Sequence, residues 1–202
     1  MGNIKPLDTI IILNGPPNVG KDTIAEGMQE FGFHQMAFKT RLYLDTVTHF
    51  NAPIDEFMDR ATDRYLKEQS WLKLALPTDT DYLQLLSPRE ALIHVSENVI
   101  KPLHGDQYYG EQVVETALQH GYQKIVMSDG GFPEEVIPLY DAFEHVIICR
   151  LHREGCSFEG DSRSYLPDGK NTFDIHLETG KVNEGIIDIA MSLDLVSDAL
   201  IF

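Results

Sequence analysis

A phosphate-binding pattern lies near the start of the chain, at Gly15-Pro-Pro-Asn-Val-Gly-Lys21. Its spacing is G-x-x-x-x-G-K, in which the glycines let the backbone turn so that several N–H groups point toward one anion. The lysine reaches the outer phosphates of a nucleotide, and a hydroxyl after it usually binds Mg²⁺. The residues expected to bind the phosphate chain of ATP are Gly15, Pro16, Pro17, Asn18, Val19, Gly20, Lys21, Asp22 and Thr23.

The metal-binding part of this pattern is shifted by one position. Asp22 follows Lys21 directly, and the hydroxyl arrives one residue later as Thr23. A carboxylate beside a polyphosphate is repulsive unless a metal ion or the acceptor lies between them, whereas a carboxylate in the first turn of a helix favours the helix dipole. Both interpretations of Asp22 stay open. We expect Thr23 and Asp129, which follows a second apolar run, to bind Mg²⁺, with a turn at a strand end as the alternative for Asp129.

Cationic side chains farther along the chain are candidates for binding the acceptor of a phosphoryl group. Lys39 and Arg41 follow the first helical pattern, and Arg89 stands at a predicted helix start, where a phosphate is favoured. Arg150 ends an apolar run. For Arg41 the alternative is a solvated helix charge. The expected substrate-binding residues are Lys39, Arg41, Arg89, Arg150 and Asp22.

A polar segment at about 152–170 is predicted to be a lid. It contains Arg153, Arg163 and three glycines. Phosphoryl transfer mainly requires positioning and neutralisation of charge, and a lid that closes also keeps water away from the reaction. We therefore expect Lys21, Arg153, Arg163 and Asp129 to carry catalysis, with a solvated loop charge as the alternative for each of the two arginines.

Several other polar residues are given structural interpretations. Arg60 and Arg64 have Glu56 and Glu68 at helical spacing, which favours surface ion pairs. The eight histidines show no spacing typical of a metal site, and the two cysteines form no paired motif.

The aromatic residues of the middle region are expected in the core. Aromatic side chains are frequently buried, so packing is the favoured role of Trp71, Tyr108 and Tyr109, with stacking on a base as the alternative.

The elements that would position these residues alternate between strands and helices. A β-branched run at Asp8–Leu13 is typical of a buried parallel strand, and the apolar spacing from Lys21 to Phe31 predicts a helix that ends at Gly32. The alternation predicts an α/β fold of three layers, with a central parallel sheet and helices on both faces. Further strands are predicted at about 124–127, 145–151 and 173–176, and further helices within about 35–49, 54–67, 87–100, 106–120, 133–143 and 183–200.

The middle of the chain combines one sharp signal with two weaker ones. Ser87-Pro-Arg-Glu90 places a capping serine before a proline and a glutamate at the third position after the cap, which predicts a helix start. Residues 54–67 are predicted to form a polar, exposed helix. Glu68–Leu86 shows no regular pattern and is interpreted as a mobile arm over a site.

The composition limits the class of protein. A length of 202 residues predicts one domain with insertions, namely an acceptor-binding region at about 36–105 and the lid. With 16 Lys and Arg against 32 Asp and Glu, the formal charge is −16, which argues against general nucleic-acid binding. Apolar runs fall far short of a membrane span, and the first residues lack the apolar core of a signal peptide. We expect a cytoplasmic protein with no nucleic-acid or membrane partner, and a homodimer is left open.

Several motifs resemble those of bacteriophage deoxynucleoside monophosphate kinases, which are P-loop nucleoside monophosphate kinases. The Lys-Asp-Thr ending of the phosphate loop is similar to theirs, Ser87-Pro-Arg-Glu90 resembles their Thr-Pro-Arg-Glu helix start, and Ser128-Asp-Gly-Gly-Phe-Pro-Glu134 resembles their Asp-Val-Arg-Phe-Pro-Asn-Glu motif. The resemblance covers most of the chain and is weakest at about 50–86. It implies ATP and Mg²⁺ as cofactors, a nucleoside monophosphate as substrate, lid arginines that close over the transferring phosphate, and the host cytoplasm as location.

Two positions depart from that family. Gly131 stands where the family motif usually has arginine, and Arg163 where histidine is usual. Either another arginine covers the missing role, or activity is weaker, or the substrate differs. The sequence thus predicts phosphoryl transfer to a (deoxy)nucleoside monophosphate, giving the diphosphate. Two alternatives stay open: a small-molecule kinase of the same fold with an acceptor such as phosphomevalonate, and a nucleotide-binding protein that has lost catalysis.

Overall fold

The computed structural model of the protein describes residues 7–169 and 171–193. These residues form two compact units, one made of the described residues within 1–38 and 110–202 and the other of residues 39–109. The strands are β1 (Leu7–Asn14), β2 (His34–Met36), β3 (Ala75–Pro77), β4 (Leu83–Leu85), β5 (Lys124–Gly130), β6 (Phe143–Arg153) and β7 (Thr172–Leu177). The helices are α1 (Lys21–Met28), α2 (Phe38–Phe50), α3 (Ile54–Thr62), α4 (Pro88–His94), α5 (Lys101–His104), α6 (Tyr108–His120), α7 (Pro133–Ala142) and α8 (Val182–Ser192).

The first unit is built on a five-stranded sheet in the order β2-β5-β1-β6-β7. All four strand pairs are parallel, so the carboxyl ends of the five strands meet at one edge. From β1 the chain first adds strands on one side, β2 and β5, and then continues to β6 on the other side. The crevice beside β1 is therefore the topological switch point, where open α/β sheets bind their ligands.

The two faces of β1 bury different layers of helices. Ile11 and Leu13 pack with Ile24 of α1 and Ile189 of α8 in one apolar cluster. Side chains alternate along a strand, so Ile10 and Ile12 face the opposite layer and are also fully buried. A strand buried on both faces reads as a continuous apolar run, and this confirms the predicted three-layer α/β fold with a central parallel sheet and helices on both faces.

The second unit has its own core. Phe57 of α3 is fully buried with Trp71 and Leu74, which corrects the expectation that residues 54–67 form a merely polar, exposed helix. The helix itself ends at Thr62. Tyr108 and Tyr109 are buried, in agreement with core packing rather than an exposed stacking surface.

The stretch expected to be irregular carries regular structure. Residues 75–77 and 83–85 pair as an antiparallel two-stranded sheet, the β3–β4 hairpin. The three-residue strands are too short to give a periodic signal, which explains why the pattern missed them. The capping box is confirmed, because the Glu90 backbone N–H donates to the Ser87 hydroxyl and the Glu90 carboxylate accepts from the Ser87 backbone N–H at 2.8 Å.

The two glutamates of the predicted ion pairs contact cations from other parts of this unit. Glu56 pairs with Lys73, and Glu68 accepts a hydrogen bond from Arg89 at 3.0 Å. Arg60 lies over the ring of Trp71 instead, with its guanidinium carbon 5.0 Å from the ring centroid. Glu56 thus contacts a cation from elsewhere in the fold, and Arg60, its predicted partner, packs on an aromatic ring.

Two sequence predictions extend past the described residues. The last helix was expected at about 183–200, and α8 is described as far as Ser192; residues 194–202 lie outside the described part. Residue 170 of the predicted lid also lies outside it. Across the described ranges, no helix has the length and apolar character needed to cross a membrane.

Candidate phosphate-binding site

The loop between β1 and α1 has the backbone that a close approach to an anion requires. Asn18 and Gly20 both have positive φ, 65° and 118°, a region that L side chains rarely adopt. Gly15 is needed for space, because a Cβ there would lie 2.8 Å from the carbonyl oxygen of Leu151 in β6. The glycines of the pattern are therefore required by the loop's geometry at both ends.

The first turn of α1 presents backbone donors at this loop. The helical hydrogen-bond ladder begins with the Ile24 N–H, which donates to the Gly20 carbonyl at 3.0 Å. The N–H groups of Lys21, Asp22 and Thr23 precede that bond, and a helix leaves such groups without intrahelical acceptors. Gly20 has no side chain that caps them. A helix N-terminus in this state favours an anion.

Lys21 is a buried cation turned back onto its own loop. Its Nζ donates to the carbonyl oxygens of Gly15 at 2.6 Å and Pro16 at 2.8 Å. Burial and the nearby positive charge of Arg163 lower the pKa of Lys21 to about 8, against the opposing pull of Asp22, Asp161 and Asp129. The two carbonyl acceptors carry no formal charge, so an incoming phosphate would find a cation whose charge they do not cancel.

Arg163 is held next to this lysine by a bidentate ion pair. Its Nε and Nη2 donate to the two carboxylate oxygens of Asp161 at 2.9 and 2.7 Å, and the Arg163 backbone N–H donates to the same carboxylate at 2.9 Å. The Asp161 carboxylate raises the pKa of Arg163 above its ordinary value, with further support from Asp129 and Glu135. Because guanidinium carries five N–H hydrogens, this pair leaves three more for other acceptors.

Asn14 anchors the segment that carries Arg163. This fully buried side chain at the end of β1 donates to the carbonyl oxygens of Gly130 at 3.1 Å and Ser164 at 3.0 Å. Its own carbonyl oxygen accepts from the Leu166 N–H at 2.8 Å. The predicted strand ended at Leu13, so the sequence analysis gave Asn14 no role; a polar residue at the carboxyl end of an otherwise apolar buried strand was the available signal.

Asp129 lies at the end of β5 and is 9% exposed. One carboxylate oxygen accepts from the Phe38 backbone N–H at 2.9 Å, so Asp129 also fixes the first residue of α2. Two oxygens offer about four lone pairs, so this bond is compatible with binding a metal ion as well. Asp22 and Thr23 are both exposed in the first turn of α1, and they point about 100° apart around the helix axis.

The residues present fit Mg²⁺ bound together with a nucleotide. The described part of the chain holds no group of three or more His, Cys, Asp or Glu side chains able to cage a metal ion. Mg²⁺ does not require such a cage, because it is usually held by one or two carboxylates together with phosphate oxygens and water. Asp22 and Asp129, both within electrostatic reach of Lys21, are donors of that kind.

A cavity opens beside the phosphate loop. It has a volume of about 490 Å³ and is lined in part by Asn18 of the loop, Arg153 and Thr179. The Arg153 guanidinium donates to the Asn18 carbonyl oxygen. The structure thus places Arg153, one of the two predicted lid arginines, at the rim of the loop.

Arg150 forms ion pairs with two carboxylates. Its guanidinium donates to both carboxylate oxygens of Asp174, at 3.0 and 2.6 Å, and pairs with Asp168 at 2.7 Å. Asp174 also forms a 2.6 Å hydrogen bond with His152. The predicted role of Arg150 in substrate binding would require it to exchange these carboxylates for a phosphate.

The remaining predicted acceptor residues, Lys39, Arg41 and Arg89, belong to the second unit. Arg41 pairs with Asp45 at 2.9 Å and lies over the Tyr108 ring at 5.6 Å, and Arg89 pairs with Glu68. Their role in binding the acceptor stays a prediction.

Comparison with known proteins adds little to this site. No protein-family model matches the chain, and no curated protein matches it. Among solved structures, it is similar to a sugar kinase from Janibacter sp. HTCC2649, with 14% identity, a TM-score of 0.46, and coverage of 95% of this chain and 96% of that one. A putative kinase from Chloroflexus aurantiacus gives 14% identity, a TM-score of 0.45, and coverage of 94% and 97%. Likenesses this distant support no particular reaction or substrate.

Proposed function

We propose that the protein is an ATP- and Mg²⁺-dependent kinase that phosphorylates a (deoxy)nucleoside monophosphate to its diphosphate. The observation that carries this proposal is Lys21, a buried cation at the start of α1 whose Nζ donates to two neutral carbonyls of its own loop. A lysine in this position, after a glycine-bearing loop at the switch point of a parallel sheet, is the arrangement that binds nucleotide phosphates.

The proposed donor site uses groups that already converge. Lys21 and Arg163 would neutralise charge on the phosphate chain, and the N–H groups at the start of α1 would bind its oxygens. The cavity lined by Asn18, Arg153 and Thr179 adjoins the loop and would receive the nucleoside part of ATP. Mg²⁺, held by phosphate oxygens with Asp129 and either Thr23 or Asp22, would supply further neutralisation of the transferring group.

The proposed acceptor follows from the resemblance to nucleoside monophosphate kinases and from the cations of the second unit. Arg89 lies at the capped start of α4, and Lys39 and Arg41 lie in the first turns of α2. Each would contribute to binding an acceptor that already carries a phosphate.

The experiment that tests this proposal is a turnover assay. Purified protein is mixed with ATP, Mg²⁺ and each common ribonucleoside or deoxyribonucleoside monophosphate separately, and ADP and the product diphosphate are followed. We expect turnover with one or a few acceptors, and its loss by several hundredfold or more in Lys21→Ala, since removal of one preorganised charge contact costs about 10²–10³ in rate. Intact turnover in Lys21→Ala would refute the mechanism.

A second candidate is a protein that binds nucleotide without transferring phosphate. It is favoured by the ion pairs of Arg41, Arg89 and Arg150, each of which engages a carboxylate. This candidate predicts ATP binding with no ADP release for any acceptor. A small-molecule kinase of the same fold predicts ADP release with a non-nucleotide acceptor, such as a phosphomevalonate-like compound, in an extended panel.

A further inference from the structure

The proposed function leaves the glycine at position 131 unexplained. Its φ lies outside the left-handed region, so backbone strain does not require glycine there. Glycine is required because there is no space for a side chain. A Cβ on Gly131 would lie 2.8 Å from each of three carbons of Arg163, namely Cβ, Cγ and Cδ. Contacts this short are not tolerated, and the crowded atoms belong to the base of the side chain, which has little freedom to yield.

We propose that Gly131 is a positioning residue for the phosphate site: its bare backbone makes the space that admits the Arg163 side chain beside Lys21. The inference rests on the proposed function, because it assigns the Arg163 guanidinium to the phosphate chain of the nucleotide. It concerns residue 131 itself, which carries no side chain able to touch a ligand.

Three independent contacts hold Arg163 in this place. The stem lies on Gly131, the guanidinium is clamped by Asp161, and Asn14 ties Ser164 and Leu166 to the end of β1. A guanidinium fixed in this way loses little side-chain entropy when a phosphate binds.

The electrostatics of the pair indicate a ligand with several negative charges. The Lys21 ammonium lies on the phosphate loop, and the Arg163 guanidinium is held in a fixed orientation by Asp161. A phosphate chain has several negatively charged oxygens, so it can accept from both cations at once. We therefore assign the pair to a diphosphate or triphosphate group rather than to a single carboxylate.

The test measures ADP binding by calorimetry in matched glycine variants. Gly131→Ala and Arg163→Gly are each expected to weaken binding about tenfold or more, the effect of losing one charged hydrogen bond. The double variant is expected to bind within about twofold of Arg163→Gly, because Arg163→Gly removes all three crowded carbons. Gly169→Ala is the matched control, since its Cβ would meet only Thr172 Oγ1 at 3.3 Å and Tyr140 at 3.9 Å.

A second measurement separates positioning from general damage to the fold. Hydrogen exchange of the Arg163 Nε–H, which donates to Asp161 at 2.9 Å, is followed by NMR of isotope-labelled arginine. Displacing Arg163 breaks this bond, so exchange should be faster in Gly131→Ala and unchanged in Gly169→Ala. Arg163→Met keeps an aliphatic stem against Gly131 without the charge, so it should weaken ADP binding about as much as Arg163→Gly does.

The outcomes divide cleanly between the two proposals. If Lys21→Ala binds ADP as tightly as the unaltered protein, the phosphate site itself is wrong. If Lys21→Ala weakens binding but Gly131→Ala does not, or if the losses in Gly131→Ala and Arg163→Gly multiply in the double variant, the role of Gly131 is overturned alone. Unchanged ADP binding in Arg163→Met, or an unchanged exchange rate of the Arg163 Nε–H in Gly131→Ala, would overturn it as well.

Discussion

At the scale of the residue, the site is organised around a cation that the fold holds at a cost. Lys21 is 9% exposed, and its Nζ donates to two neutral carbonyls, which leave its positive charge uncompensated. Burial disfavours the charged form, which is why the pKa of Lys21 falls to about 8 from its ordinary value of 10.5. A phosphate in contact with the ammonium would favour the charged form again. Ligand binding and protonation of Lys21 are therefore linked.

This linkage predicts proton uptake when a nucleotide binds. With a pKa of about 8, Lys21 is roughly three quarters neutral at pH 8.5 and about one tenth neutral at pH 7. Binding of ADP should therefore take up a large fraction of a proton at pH 8.5 and little at pH 7. Calorimetry in buffers of different ionisation enthalpy measures the number directly.

Lys21→Arg is the control for that uptake, because arginine stays protonated throughout this range. The uptake at pH 8.5 should vanish in this variant. If the unaltered protein binds ADP with no uptake at pH 8.5, then Lys21 is not the group that meets the phosphates.

The lowered pKa of Lys21 also determines how the stability of the unliganded protein depends on pH. Between about pH 8 and 10.5 the unfolded chain keeps Lys21 protonated while the folded chain does not. The unfolded state then binds more protons, so this group's contribution to stability rises with pH across that window. Below pH 8 the full cost of burying the charge is present.

At the scale of the element, the sequence predicts what local chemistry determines. The continuous apolar run of β1, the loop that follows it and the capping box at Ser87 each have a local cause, and the structure confirms each. The β3–β4 hairpin has strands of only three residues, so its signal was too short to recognise. The Gly131–Arg163 contact joins positions 32 residues apart, and no local pattern encodes it.

Asn14 shows most clearly how an element is tied to the site. Its side chain closes three hydrogen bonds between β1, β5 and the 164–166 segment while fully buried. Asn14→Ala should lower the free energy of unfolding by about 2–4 kcal/mol, because it leaves buried backbone groups without partners. It should also speed hydrogen exchange at the Leu166 amide. Urea unfolding and exchange measured by NMR test the two parts.

Asn171→Ala is the matched control for this variant. Asn171 is only partly buried, and its side-chain hydrogen bond to the Val146 carbonyl is long at 3.4 Å. Its replacement should cost about 1 kcal/mol or less. Equal losses in the two variants, or an unchanged exchange rate at Leu166 in Asn14→Ala, would mean that Asn14 does not anchor the segment.

At the scale of the whole molecule, a local cationic site operates within an acidic protein. The formal charge is −16, so the chain as a whole repels the anions that Lys21 and Arg163 are proposed to bind. Burial resolves the conflict, because interactions within a site of low dielectric are screened less than those across solvent. The distant surface charges act mainly on solubility and on self-repulsion of the folded state.

The contrast between a buried cationic site and an acidic surface predicts how the stability of the protein responds to salt. Self-repulsion of a strongly acidic surface destabilises the compact state and is screened beyond about 10 Å at 0.1 M ionic strength. Raising NaCl from 10 to 200 mM (roughly a fourfold shortening of the Debye length) should therefore raise the thermal unfolding midpoint by about 2–4 °C, as expected for roughly 1 kcal/mol in a chain of this size. The exposed ion pairs, such as Arg89 with Glu68, would weaken with salt, but pairs of this kind contribute little to stability.

Repeating the thermal unfolding measurement with KCl separates screening from binding of a particular ion, since screening depends only on ionic strength. A midpoint that falls with either salt would show that attractive pairs, and not net repulsion, dominate the electrostatics of this fold.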